Sequence, residues 1–121
     1  MYKLFTDVMC DLPLDYIDAH GLEVIPLSVL IDGEDYTLAA DPTAPGCIEP
    51  SEFYRRLREG ANAKSAQATS EKITEMMRPY LADGQDVLYL AFSSGLSGTC
   101  GSGQVARDQL LQEFPERKVI V

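Results

Sequence analysis

The pattern that most narrows the fold lies in the last third of the chain. Asp86-Val-Leu-Tyr-Leu-Ala-Phe92 is an apolar run of strand character, a helical stretch follows through Glu113, and after Pro115 the sequence turns apolar again at Lys118-Val-Ile-Val121. Strand, helix and strand at this spacing form a βαβ unit. Its crossover is right-handed, and its strands lie parallel in a sheet that helices cover. A layered α/β architecture follows, and all-α and all-β folds are excluded. With 121 residues the chain has room for one core, so a single domain over residues 1–121 is expected. Val121 falls inside the last strand, so the chain reads as a piece of something longer.

The rest of the sequence supplies more strands and helices. Tyr2 to Thr6 is a short strand candidate followed by a loop from Asp7 to Pro13, with Pro13 placed as a first helical residue and Gly21 as the stop. Leu22 to Ile31 is apolar almost throughout and reads as a buried strand, with Pro26 marking an edge or a bulge. Asp32-Gly33 is a tight-turn signal into Glu34-Asp-Tyr36. Thr37 to Glu49 is expected to be loop, Pro50 to Glu59 a helix presenting Phe53, Tyr54 and Leu57, and Ala61 to Ala68 a polar loop. A third helix is expected from Thr69 or Ser70, with Ile73, Met76, Met77, Tyr80 and Leu81 as its apolar stripe and Pro79 kinking or shortening it.

Two polar loops carry the chemical interest. The strand ending at Phe92 empties into Ser93-Ser-Gly-Leu-Ser-Gly-Thr-Cys-Gly-Ser-Gly103, which opens a helix. Ligands of open α/β sheets sit beyond the carboxyl ends of strands, where glycines admit a close approach and free N–H groups favour an anion. There is no Lys or Arg from Ser93 to Ala106, so this is not a P-loop, and the dinucleotide fingerprint is absent. Lys64-Ser-Ala-Gln-Ala-Thr69 is a second, less distinctive loop before a helix. The first loop is equally readable as an ordinary turn, and for the second a solvated loop with Thr69 as helix N-cap is the simpler reading.

Other chemistries find little to build on. His20 is the only histidine and sits beside Gly21 at a helix end; with no Cys pair nearby, no metal site is expected. Asp7 and Asp11 flank the first turn, where carboxylates can hold Mg²⁺, but capping and loop hydrogen bonds are the simpler role. Cys10, Cys47 and Cys100 are odd in number and far apart, which suggests neither disulfides nor a redox motif. Nineteen Asp and Glu against ten Lys and Arg give a net charge of −9, which disfavours nucleic acid and anionic lipid surfaces. No run approaches a membrane span, so no stable membrane insertion is expected, and the N-terminus does not read as a signal peptide. The expectation is a soluble, cytoplasmic chain.

Taken together, Phe5-Thr-Asp-Val-Met-Cys-Asp-Leu-Pro13 leading to Gly21–Gly33, then Ser65-Ala-Gln-Ala-Thr69, then Ser93-Ser-Gly-Leu-Ser-Gly-Thr99 resemble the N-terminal half of the DegV family, a bacterial family. The resemblance implies a three-layer α/β/α sandwich with a mostly parallel sheet, the first domain of a two-domain protein. It also implies a carrier that binds a long-chain fatty acid and presents its carboxylate to the catalytic subunit of a fatty acid kinase, with no cofactor and no catalysis of its own. By position, Ser65 and Ser94 would grip the carboxylate, with Ser93, Ser97 and the Gly95 and Gly98 backbone in support. The chain departs from the family pattern at Ala66, Cys100 and Val8-Met9, where the family usually has Ser, an aromatic and Ser-Thr. The rival expectation is a small ester or phosphoester hydrolase with Ser94 as nucleophile, which lacks an evident base.

Overall fold

The computed structural model describes residues 1–121. Strand β1 (Tyr2–Asp7) leads through a single 3-10 turn (Val8–Cys10) into helix α1 (Leu14–His20) and strand β2 (Glu23–Ile25). Strands β3 (Leu27–Ile31) and β4 (Glu34–Leu38) form a hairpin, and helix α2 (Pro50–Arg58) and strand β5 (Ala63–Ala66) follow. Helix α3 (Ser70–Ala82), strand β6 (Asp86–Leu90), helix α4 (Thr99–Glu113) and strand β7 (Val119–Ile120) complete the chain.

Two sheets result. The first has the order β2-β1-β6-β7 and is parallel throughout. From the central pair, β1 crosses to β2 on one side and β6 crosses to β7 on the other. Right-handed crossovers in opposite directions put α1 and α4 on opposite faces. Side-chain alternation agrees: Phe5 and Val87 point into the core under α3 and α4, whereas Val24 faces the α1 side beside Ile17. The architecture is therefore α/β with helices on both faces of a parallel sheet.

The main core gathers twelve buried residues, with Phe5, Ile25, Val87 and Tyr89 from the sheet meeting Ile73, Met77, Leu81 and Leu110 from the helices. Phe5 packs edge-on against Tyr80, ring centres 5.6 Å apart. Gly103 lets α4 come this close, because a Cβ there would lie 2.9 Å from the Tyr89 ring.

The second sheet, order β4-β3-β5, is antiparallel and has its own small core of Val29, Ile31 and Ile48, with Phe53 of α2 packed against it. Asp32 and Gly33 both adopt positive φ, 50° and 84°, as a two-residue hairpin turn of the I′ type requires.

Three expectations are corrected. The apolar run from Leu22 to Ile31 is not one strand: Pro26 divides it into β2, an edge strand of the parallel sheet, and β3, the centre of the antiparallel one. Proline lacks the N–H that would continue a ladder, so the chain changes sheets there. The expected loop at Ala61–Ala68 contains β5. Its Ala-Lys-Ser-Ala sequence has little strand preference of its own, and it is strand because it pairs with the free edge of β3. Helix α3 is not cut short at Pro79; it continues to Ala82, and buried Met77 and Leu81 on either side hold that last turn against the core.

Candidate functional site

Strands β1 and β6 are adjacent, parallel and lead to crossovers in opposite directions, so their carboxyl ends form the topological switch point of the sheet. Open α/β sheets bind ligands in that crevice. Here it is flanked by the 3-10 turn after β1 and by the Ser/Gly loop after β6, and the antiparallel sheet with α2 forms its other wall.

Asp7 ties the two strand ends together. Its carboxylate is buried, 2% exposed, and accepts hydrogen bonds from the Phe92 N–H (2.8 Å), the Tyr89 hydroxyl (3.0 Å) and the Met9 N–H (3.2 Å). Burial, then the Asp7 charge and hydrogen bond, raises the Tyr89 phenol well above its ordinary value. The entry to the Ser/Gly loop is thus fixed by a charge-assisted network rather than by packing alone.

Within that loop the hydroxyls divide into two kinds. Ser93 Oγ accepts from the Gly95 N–H at 3.2 Å, and Ser97 Oγ accepts from the Thr99 N–H at 3.2 Å while bonding Thr99 Oγ1 at 3.1 Å. Both therefore shape the turn. The carbonyl of Ser93 accepts from the Leu96 and Ser97 N–H groups, which closes the turn around Ser94 and Gly95. Ser94 stands exposed on it. The segment read as a loop up to Gly103 is already helix from Thr99 onward.

Thr99 is buried, and its Oγ1 accepts from the Ala68 N–H at 3.3 Å. Gln67 lies over Gly98 so closely that any Cβ there would collide with its amide, and its Nε2 reaches Ser102 Oγ at 3.4 Å. These contacts clasp the segment after β5 to the start of α4, joining the two loops singled out in the sequence. Gln67 and Thr99 carry this clasp, and sequence reasoning missed both as site-building residues. The usable signal was Gly98, the glycine just before the helix.

The register of β5 against β3 sets Ser65 opposite Val29, so its side chain shares the face of Val29, Leu27 and Leu38. Lys64, opposite Leu30, points to the other face. A cavity of about 460 Å³ opens on the Ser65 face, walled by Leu27, Val29, Leu38, Phe53, Leu57 and Phe92. Ser65, Gln67 and Ser97 are its polar groups. Such a volume is in the range of small-ligand sites, roughly 300–1,000 Å³. No Lys, Arg or His lines it. Of the expected site residues, Ser65 and Ser97 lie in its wall, Gly98 lies under Gln67, and Ser93, Ser94 and Gly95 are in the adjoining turn outside the wall.

The remaining candidates have structural roles. His20 Nδ1 contacts the Tyr16 carbonyl at 2.9 Å, and its ring stacks on Tyr16 on the exposed side of α1. The hydrolase alternative gains no support, because this histidine is engaged in its own helix. Asp11 takes a left-handed conformation closing the 3-10 turn, its N–H on Val8 O. No helix is long and apolar enough to cross a membrane.

A family profile described as uncharacterised protein, DegV family, matches residues 1–121. The chain belongs to the DegV family. A DegV domain-containing protein of Lactococcus lactis, YteA, is 32% identical over 120 residues, which is 99% of this chain and 40% of that protein. Among solved structures, a stearic acid-binding protein from Eubacterium ventriosum superposes with a TM-score of 0.88 at 27% identity, over 100% of this chain and 40% of that one. A fatty acid-binding DegV family protein from Thermus thermophilus gives 0.78 at 34% identity, over 99% of this chain and 40% of its own. The chain spans about 40% of the length of these DegV relatives and corresponds to their N-terminal part.

Proposed function

We propose that this DegV chain is the fatty acid-binding part of a lipid carrier, holding a long acyl chain between the two sheets with the carboxylate at the Ser65 end. The observation that carries the reading is the apolar cavity at the switch point, whose few polar groups, Ser65, Gln67 and Ser97, are neutral. Burial of hydrocarbon is worth roughly 0.8 kcal/mol per methylene, so a dozen buried methylenes contribute on the order of 10 kcal/mol before the entropy of binding is subtracted. Affinity comes from the tail, and the head needs only orientation. Ser65 would donate to the carboxylate from the cavity wall, and Ser94 from the exposed turn beside it, with Ser93, Ser97 and the Gly95 and Gly98 backbone holding that turn in shape. The similarity to the stearic acid-binding protein of Eubacterium ventriosum and the fatty acid-binding DegV protein of Thermus thermophilus favours the same ligand class.

Carrier action fits the geometry better than catalysis. A carboxylate at the mouth of the cavity, near the exposed Ser94, is open to a second protein. We propose that this partner is the catalytic subunit of a fatty acid kinase, and that the carrier contributes no reacting group. A carboxylate held by hydroxyls alone is incompletely compensated for its lost hydration. No cation lines the cavity, so the isolated chain should bind fatty acid more weakly than a full-length relative. Lipid extraction and mass spectrometry of the purified chain, followed by oleate titration, test the reading. Co-purified fatty acid and weaker oleate binding by Ser65→Ala than by the parent are expected. Absence of bound lipid together with no oleate binding would overturn it, and ester turnover abolished by Ser94→Ala would favour the hydrolase.

A further inference from the structure

A second cavity, of about 470 Å³, lies beyond the first, and the two share a wall: Met9, Leu38 and Phe53 line both. Past that wall the second chamber is bounded by Val8, Ile17, Val24 and Ile48 and by two half-buried free cysteines, Cys10 and Cys47. Its lining is overwhelmingly hydrophobic and contains no Lys, Arg or His, so it suits hydrocarbon rather than a headgroup. The shared residues differ in rigidity. Leu38 is fixed in a strand and Phe53 on a helix, whereas Met9 sits half-exposed, 43%, on the 3-10 turn and has an unbranched side chain free to change rotamer.

We propose that the second chamber receives the distal end of a long acyl chain and that Met9, Leu38 and Phe53 form a partition, with Met9 as its movable member, that separates long chains from short ones. The inference rests on the fatty acid reading and adds chain-length selection to it. A short acid ends before the partition; a long one passes Met9 and fills the space against Ile17 and Val24. Each methylene that crosses strengthens binding by about fourfold.

The cysteines make this measurable without altering the protein. Cys10 and Cys47 line the second chamber, while Cys100, on α4, lines neither. Alkylation of the full chain by iodoacetamide, read per peptide by mass spectrometry, is compared for free protein and for protein with stearate or laurate, native mass spectrometry reporting which acid is bound. With stearate at about ten times its Kd, labelling of Cys10 and Cys47 should slow about tenfold, as expected for protection by occupancy. Cys100 should label as before, and bound laurate should leave all three unchanged. A second arm uses Ala40→Phe, at a residue that lines the second chamber and not the first: stearate affinity should fall to that of laurate while laurate affinity stays the same. Bound stearate with unprotected Cys10 and Cys47, or equal protection by laurate, overturns the partition and leaves the fatty acid reading standing. If neither acid binds the unaltered chain, the fatty acid reading itself fails and the partition goes with it.

Discussion

The parallel and antiparallel sheets are built on different scales. The first packs with α3 and α4, and with Leu27 of β3, in a twelve-residue core, whereas the second gathers three further buried residues under α2. The larger one resembles the interior of an ordinary domain; the smaller is a flap hinged at Pro26 and returned to the frame by the Gln67–Gly98 and Ala68–Thr99 contacts. The ligand cavity lies where they meet. Site residues drawn from the frame (Phe92, Ser97) are held by hydrogen bonds to Asp7 and Thr99, and those from the flap (Val29, Leu38, Ser65) by strand pairing over a three-residue core. A rigid rim facing a softer wall is suited to admitting a long apolar ligand, since regions of low local stability supply the openings that binding needs.

The contrast can be broken most forcefully at Phe5. It is fully buried at the centre of the frame, and Phe5→Ala should cost about 3–5 kcal/mol of global stability in urea denaturation followed by circular dichroism. Ile31→Ala, equally buried but in the flap, should fall near the lower end of the large-to-small range, about 2 kcal/mol, since a three-residue core relaxes more readily. Hydrogen exchange sharpens the point: amides of β3 and β4 should open at lower free energy than those of β1 and β6, and Ile31→Ala should lower the first set more than the second. Equal protection of both sheets would erase the distinction.

Asp7 joins frame to site. Asp7→Ala leaves the Phe92 N–H and the Tyr89 hydroxyl buried without their acceptor, which should cost about 1–3 kcal/mol and weaken fatty acid binding by disordering the Ser/Gly loop. The smallest effect is at the frame's edge. The Tyr80 hydroxyl donates to Glu23, and that bond, with burial and the Glu23 charge, pushes its phenol up to about 12. A folded-state value above the unfolded one, ordinarily near 10, contributes stability that is complete below pH 10 and is lost as pH rises through 12. Phenolate absorbance near 295 nm should therefore show Tyr80 ionising late, and Tyr80→Phe should remove that step while the still later one of Tyr89 stays.

The frame was legible in the sequence because its signals are local. The run Asp86–Phe92 followed by a helix specifies a βαβ unit by periodicity alone, and Asp32-Gly33 specifies its turn because few other pairs tolerate two positive φ values. The flap was legible only in part. Ala63–Ala66 is a strand through its partner β3 and not through its residues, and the split at Pro26 depends on a second sheet that nothing near Pro26 announces. At the site, the Ser93–Thr99 loop stood out by composition and by the DegV resemblance, and Ser65 by the resemblance alone. Ordinary-looking Gln67 and Thr99 acquire their role from contacts spanning about thirty residues of sequence, 31 for Ala68–Thr99 and 35 for Gln67–Ser102. The cavity walls come from elements scattered along the chain, so no single segment shows the cavity.

The claim that a fatty acid lies between frame and flap is tested most directly by amide NMR of the chain titrated with palmitate. The largest shifts should fall on Val29, Leu38, Ala66, Gln67, Leu96 and Ser97, with small changes at Tyr2, Leu90 and Ile120, three exposed apolar residues on the strands of the frame. Shifts concentrated on Tyr2, Leu90 and Ile120, with the cavity residues silent, would show that lipid merely coats an apolar surface and would contradict the account.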